Sequence, residues 1–142
     1  MGEFSPGRLL VPLLLDTHAA IWYFSDSDEL SVTARNEIEA AVQRAEDVFL
    51  ASISLVEVIY LAEKGRLPAE ALAKLEHALA EGKSSVIVAP LDSAVAASVG
   101  RISRVAVPDM PDRIIAATAL QLGVPLVTRD RRIRGAGIDT IW

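Results

Sequence analysis

The chain contains no cysteine, which excludes disulfides and thiolate metal centres. Any metal it binds must be a hard cation held by oxygen. Aromatic residues are scarce at 5%, against 51% hydrophobic overall, so the core must be assembled from Ala, Leu, Ile and Val. That apolar content also argues against global disorder. No apolar run approaches the roughly 20 residues needed to cross a bilayer. The longest extends only from Leu9 to Leu15, so no membrane segment is expected. Residues 1–8 lack the basic start and small-residue cleavage pattern of a secretory signal. They read as an amino-terminal extension, native or vector-derived, and residues 9–142 as one domain of ordinary size. A cytoplasmic location is the expectation. Basic residues are outnumbered, 14 Lys and Arg against 19 Asp and Glu, for a net charge of −5. Such a chain repels a polyanion unless charge is inverted locally or a metal is bound.

What the sequence does have is short apolar runs alternating with helical patterns. Leu13–Leu15 reads as a buried strand, preceded by Pro12, which is tolerated where a strand begins. Ala19–Phe24 reads as a short helix. Ser31–Ala45 reads as a longer one with Ala34, Ile38, Ala41, Val42 and Ala45 inward. Val48–Ala51 is a second strand, feeding a helix from about Ser54 to Gly65. A helix over Pro68–Ala80 closed by Gly82, a strand over Ser85–Ala89 and a helix over Asp92–Ser103 follow. Pro111 stands where another helix begins, with Ile114, Ile115, Thr118, Ala119 and Leu122 as its inward stripe up to Gly123. Leu126–Thr128 is the next strand, and Ile138–Trp142 an edge strand after the Gly135–Gly137 turn. The alternation predicts a three-layer α/β/α domain around a central, mostly parallel sheet. Ligands in such sheets bind at the carboxyl ends of the strands.

Four acids map to that edge. Asp16 ends the first strand, Glu57 lies near the start of the helix after the second, Asp112 opens a late helix, and Asp130 follows Leu126–Thr128. Bare carboxylates packed together repel and take up protons, so such a cluster implies a cation. Mg²⁺ fits best, with Mn²⁺ as substitute, because Mg²⁺ prefers oxygen ligands and commonly binds one or two carboxylates together with substrate phosphate. That points to phosphodiester hydrolysis by metal-activated water. Arg113, Arg129, Arg131, Arg132 and Arg134 lie close in sequence to two of the acids and could grip phosphate. Each acid also has a bland explanation. Ser54-x-x-Glu57 is a capping-box pattern. Asp109 and Asp112 fit an N-cap and a first-turn acid. Asp16, followed by Thr17, fits a cap for the short helix after it, and Asp130 a turn residue paired with arginine. His18 and His77 receive no catalytic role. Trp22, Tyr23 and Phe24 could stack RNA bases, but packing is the prior expectation for them. Together with the Ala-rich helices they suggest a groove for a partner helix or a dimer face.

The segments Leu13-Leu-Leu-Asp16-Thr17-His18-Ala-Ala-Ile-Trp22, Ser52-Ile-Ser54-Leu-Val-Glu57-Val, Asp109-Met-Pro-Asp112-Arg113-Ile-Ile-Ala-Ala-Thr-Ala and Val127-Thr128-Arg129-Asp130-Arg-Arg-Ile resemble the PIN-domain family, and within it the VapC-type toxins of toxin-antitoxin pairs. The resemblance extends from about Leu9 to Trp142. It implies a metal-dependent endoribonuclease, inhibited by a VapB-type antitoxin and often a homodimer. Asp16, Glu57, Asp112 and Asp130 match the family's acidic quartet, Asp109 an additional acid serving a second or supporting metal position, and Thr17, Ser54 and Thr128 supporting hydroxyls. The departures are the extension before Leu9 and Pro12 within the leading apolar run. Two rivals remain at this point. One is a phosphatase using Asp16 as nucleophile, which would want a second Asp where His18 stands. The other is a non-catalytic module whose acids bind only metal or a partner.

Overall fold

Three consecutive leucines can all be buried in a strand covered on both faces. Leu13–Leu15, here β1, is such a strand, with Leu14 and Leu15 fully shielded from solvent. The computed structural model describes residues 12–80 and 86–142. The amino-terminal extension, and Gly82 and Ser85 with their expected helix stop and strand start, lie outside the described residues. From β1 the chain forms α1 (Thr17–Phe24), α2 (Val32–Gln43), β2 (Val48–Ala51), α3 (Ser52–Glu63), α4 (Ala69–Ala80) and β3 (Val86–Ala89). It continues through α5 (Ser93–Ser98), a 3-10 turn over Val99–Arg101, α6 (Met110–Leu122), β4 (Leu126–Val127), α7 (Arg131–Gly135) and β5 (Thr140–Ile141).

The five strands lie in the order β3-β2-β1-β4-β5, and every neighbouring pair is parallel. The chain moves outward from β1 to β2 and β3, then returns to β4 on the other side of β1. The order therefore reverses at β1, where a crevice opens beyond the strand ends. Side chains alternate across the sheet. Leu13, Leu15, Val48, Leu50 and Val127 join one core with Ala19, Ala20, Ala34, Ile38 and Leu75, beneath α1, α2 and α4. Leu14, Ala51 and Leu126 join the other with Val95, Ile115, Ala116, Ala119 and Ile133, beneath α5, α6 and α7. This is the expected three-layer arrangement.

Several element boundaries differ from the sequence expectation, each for a local reason. Helix α1 begins at Thr17, two residues early, because the Asp16 side chain accepts the Ala19 N–H at 2.8 Å. Helix α3 begins at Ser52, directly after β2, with Ala51 as its cap and no side-chain capping bond. The helix expected over 92–103 stops at Ser98 and tightens into the 3-10 turn, whose carbonyl ends are taken by Arg113. Val42, expected to face inward, is exposed, and Ala45 lies beyond the helix at φ +57°. The single turn α7 shows no periodic signal because only Ile133 in it is buried. Among the described residues no helix is long and apolar enough to cross a membrane.

Helix α6 is the longest element and aims its acidic first turn at the crevice. Asp109 caps its start, and Gly123 closes it at φ +70°, returning its N–H to the carbonyls of Ala119 and Leu120. A Cβ at Gly123 would meet nothing within 4 Å, so a substitution there meets backbone strain alone. Gly123→Ala is expected to lower stability by about 1 kcal/mol, read as a lower urea midpoint at unchanged slope. An unchanged midpoint would show that the left-handed closure is not a constraint on α6.

Candidate active site

Asp16 and Asp130 are each positioned by a short link from strand to helix, and Asp109 and Asp112 by the start of α6. Asp16 follows β1, and its Oδ1 accepts the Ala19 N–H. Asp130 follows β4, and its Oδ1 accepts the Arg132 N–H at 2.9 Å, while its own N–H donates to Thr128 Oγ1 at 3.1 Å. Asp109 Oδ2 accepts the Asp112 N–H at 3.2 Å. The capping expectation thus holds for Asp16 and Asp109, and Asp130, read from the sequence as a turn residue paired with arginine, both caps α7 and lies 3.4 Å from Arg132. Capping occupies one oxygen of each carboxylate and fixes the side chain's direction, so it serves the site as well as the helices.

Glu57 is different, and its capping-box reading is corrected by the structure. With α3 starting at Ser52, Glu57 falls in the second turn, and neither it nor Ser54 caps the helix. Ser54 is fully buried and lies 2.8 Å from Thr17 Oγ1, whose hydroxyl contacts Glu57 Oε1 as well. Thr17 has one proton and an ionised carboxylate can only accept. The Thr17 hydroxyl therefore donates to Glu57, and Ser54 donates to Thr17. This chain locks Glu57 from behind and leaves Oε2 uncommitted. Thr17, Ser54 and Thr128 are all buried, and among the described residues no buried side-chain oxygen or nitrogen lacks a partner.

The acids feel one another. Asp112 has its pKa pushed up to about 6, first by burial and then by the charges of Asp109, Glu57, Asp130 and Asp16. Three carboxylates from distant segments, with the neighbouring Asp109, acting on Asp112 is the electrostatic signature of convergence. Asp16 is also raised, chiefly by burial and slightly by Glu57, against the opposing effects of the Thr128 hydroxyl, the Ala19 N–H and His18. An open cleft of about 360 Å³ is lined by Asp16, His18, Trp22, Asp112, Thr128, Arg129 and Asp130. Glu57 lies in an adjoining apolar groove of about 410 Å³, which shares His18 with the cleft. Trp22 reaches the cleft while packing on the core, a dual position that no spacing rule reveals.

The arginines part company. Arg113, expected to hold phosphate, turns away, and its guanidinium donates to the carbonyls of Val99 and Ile102 at 2.7 to 3.2 Å. It closes the 3-10 turn against α6, sharing the Val99 carbonyl with the Ile102 N–H and supplying donors to the Ile102 carbonyl. Arg129 pairs with Glu29 at 3.1 Å and lies 4.6 Å over the Trp22 ring. Arg132 leans on Asp130 at 3.4 Å. Arg131 and Arg134 line the next cavity along.

The PIN domain family model matches residues 13–138, which takes in every strand but the last and all of the acids. The chain belongs to the PIN-domain family. This PIN domain is 35% identical to Ribonuclease VapC22 of Mycobacterium tuberculosis over 127 residues, covering 88% of this chain and 92% of that protein. Its fold is similar to a chain of the DNA-bound VapBC complex of Salmonella typhimurium, with a TM-score of 0.66 and 26% identity over 92% of this chain and 96% of that one. A chain of promoter-bound VapBC2 from Rickettsia felis superposes with a TM-score of 0.69 at 16% identity, over 91% of this chain and 96% of that one.

The donor set of this PIN domain suits a hard cation. It is all carboxylate and hydroxyl oxygen, and its acids raise Asp112 by their mutual charge. Among the described residues no three acids or histidines already surround one point. Mg²⁺ commonly binds one or two carboxylates directly and reaches others through retained waters, so Asp16 and Asp112 with water-bridged neighbours fit it.

A pH dependence follows. Asp112 titrates at 3.8 when free and about 6 when folded. The folded protein therefore holds the extra proton between those values, and stability falls as pH rises through that window, with the penalty complete above about 6. In EDTA, Asp112→Asn is expected to melt higher than wild type at pH 7.5, the two converging below pH 4. A lower melting temperature at pH 7.5 would contradict the crowding of like charge.

Proposed function

We propose that this PIN domain is a metal-dependent endoribonuclease and the toxin of a toxin-antitoxin pair, acting in the cytoplasm. The observation that carries the reading is that Asp16, Asp112 and Asp130 line one cleft at the point where the strand order reverses, with Glu57 in the groove beside it and near enough for its charge to raise Asp112. A Mg²⁺ ion held by Asp16 and Asp112, with Asp130 and Glu57 at its margin and Asp109 in a supporting position, would supply Lewis-acid polarisation of the phosphoryl group and a bound water of lowered pKa. Mn²⁺ would substitute. The chain's own residues do the rest. Thr128 and the Ala19 N–H hold Asp16 in its direction. Thr17 and Ser54 brace Glu57 so that Oε2 can hold a proton from the attacking water. His18, Trp22 and Arg129 wall the cleft.

The relative named Ribonuclease VapC22 supports the activity, and the similarity to chains from VapBC complexes supports a VapB-type partner. A surface for that partner, or for the second copy in a homodimer, is the apolar groove beside Glu57. Val56, Tyr60 and Met110 in its lining are well exposed. This relocates the expected groove from Trp22, Tyr23 and Phe24, which pack against the core. The rival of a module that binds without cutting draws support from the absence, among the described residues, of three acids already grouped around one point.

A cleavage assay separates the two. Wild-type protein with Mg²⁺ is expected to cut RNA and to stop in EDTA. Asp16→Asn, Glu57→Gln and Asp112→Asn should each be slower by on the order of a hundredfold or more, with unchanged circular dichroism. Cleavage by Asp16→Asn at the wild-type rate would refute the assigned site. Failure of the wild type to cut any of a panel of RNAs with Mg²⁺ would favour the module.

A further inference from the structure

Past the acid cleft lies a second cavity of about 340 Å³, walled by Thr128, Arg129, Asp130, Arg131, Arg134, Thr140 and Trp142. Thr128, Arg129 and Asp130 line both cavities, so a polymer lying through the cleft passes directly into this one. Its charge is the reverse of the cleft's. Four of the six residues from 129 to 134 are arginine, in a chain of net charge −5. Two are already engaged, Arg129 with Glu29 and Trp22, and Arg132 with Asp130. The other two are available. Among the described residues Arg131 has no hydrogen-bond or ion-pair partner, and Arg134 commits only its Nε, to Thr140 Oγ1 at 2.9 Å, keeping both terminal amino groups.

Guanidinium groups with unspent donors in a shared cavity match the geometry of phosphate. The remaining wall is aromatic. The indole of Trp142 is half-buried against the core and held edge-on to Trp22, with ring centroids 5.9 Å apart. Trp22 has Arg129 over its ring, so Trp142 is the aromatic surface this cavity offers. A phosphate grip beside an aromatic platform is the combination that holds one nucleotide of a single strand, since every base has a face to stack. A base within a duplex has no free face and cannot use it.

We propose that this cavity is a nucleotide subsite for unpaired RNA, in which Arg131 and Arg134 hold the phosphate next to the one at the acid cleft and Trp142 stacks its base. The choice of RNA rests on the ribonuclease reading, but the subsite is testable by binding alone. The probe is a fluorescein-labelled, eight-nucleotide RNA single strand of mixed sequence. It is titrated by anisotropy with full-length Asp16→Asn protein in Mg²⁺ over a range of salt.

Adding Arg131→Ala and Arg134→Ala together is expected to weaken binding about ten- to a hundredfold at low salt. The plot of log Kd against log salt should become shallower by about 0.7 for each phosphate that is no longer neutralised. Trp142→Leu is expected to cost about tenfold, and Trp142→Phe, which keeps a stacking face, to stay near the parent. A blunt duplex of the same length should bind more weakly than the single strand. An unchanged affinity and salt slope in the arginine double variant overturns the proposal, whether or not Trp142→Leu folds. Equal binding of duplex and single strand overturns it too. Arginine- and Trp142-dependent binding by a wild-type protein that cuts no RNA would sustain the subsite and sink the nuclease reading. Cleavage with no arginine dependence would do the reverse.

Discussion

Like charge crowded at the carboxyl end of β1 is the constraint from which the rest of the domain can be understood. Asp112 holds its proton up to about pH 6 because it is half-buried and faces Asp109, Glu57, Asp130 and Asp16. Such an arrangement opposes folding at neutral pH, and a domain of this size has only a few kcal/mol of net stability to set against it. The buried leucines of β1, the two cores on either side of the sheet and the closed ends of α6 hold the acids where their mutual repulsion would drive them apart. A divalent cation, in the proposed function, turns that repulsion into binding energy.

The fold uses one device repeatedly to aim these groups. A short strand ends and an Asp caps the helix that follows. Asp16 and Asp130 follow this pattern on adjacent strands, and Asp109 caps the crossover helix that returns the chain to β4, though a loop and not a strand precedes it. Glu57 arrives by another route, braced through Thr17 by the fully buried Ser54. A hydroxyl sealed in the core and spent on a threonine one element away is costly unless its bond is made. The position of Glu57 is therefore coupled to the joint between α1 and α3 rather than to the helix it sits on.

How much of this was legible varied with the length scale of the signal. The strands at Leu13–Leu15 and Val48–Ala51 and the helix ending at Gly123 could be read because burial on both faces and glycine closure leave local marks. So could the gathering of acids, which follows from strand direction once the sheet is parallel. The role of Ser54 could not, because a serine three residues before a glutamate has the same pattern whether it caps a helix or reaches across to Thr17. The diversion of Arg113 to Val99 and Ile102 was hidden for a similar reason. Proximity in sequence to an acid says nothing about carbonyls eleven and fourteen residues away that can accept from a guanidinium. Helix α7 was invisible because it is a single turn with one buried residue, and the edge strand read over Ile138–Trp142 does not tell which cavity Trp142 walls. Residue type alone reveals the chemistry on offer, and the folded chain reveals which of those groups are already spent.

The most direct test of the central claim is a crystal of the wild-type protein soaked in Mn²⁺ and measured at an energy where manganese scatters anomalously. The account expects a peak in the cleft, bonded to carboxylate oxygens of Asp16 and Asp112. A cleft without manganese at saturating concentration would contradict it.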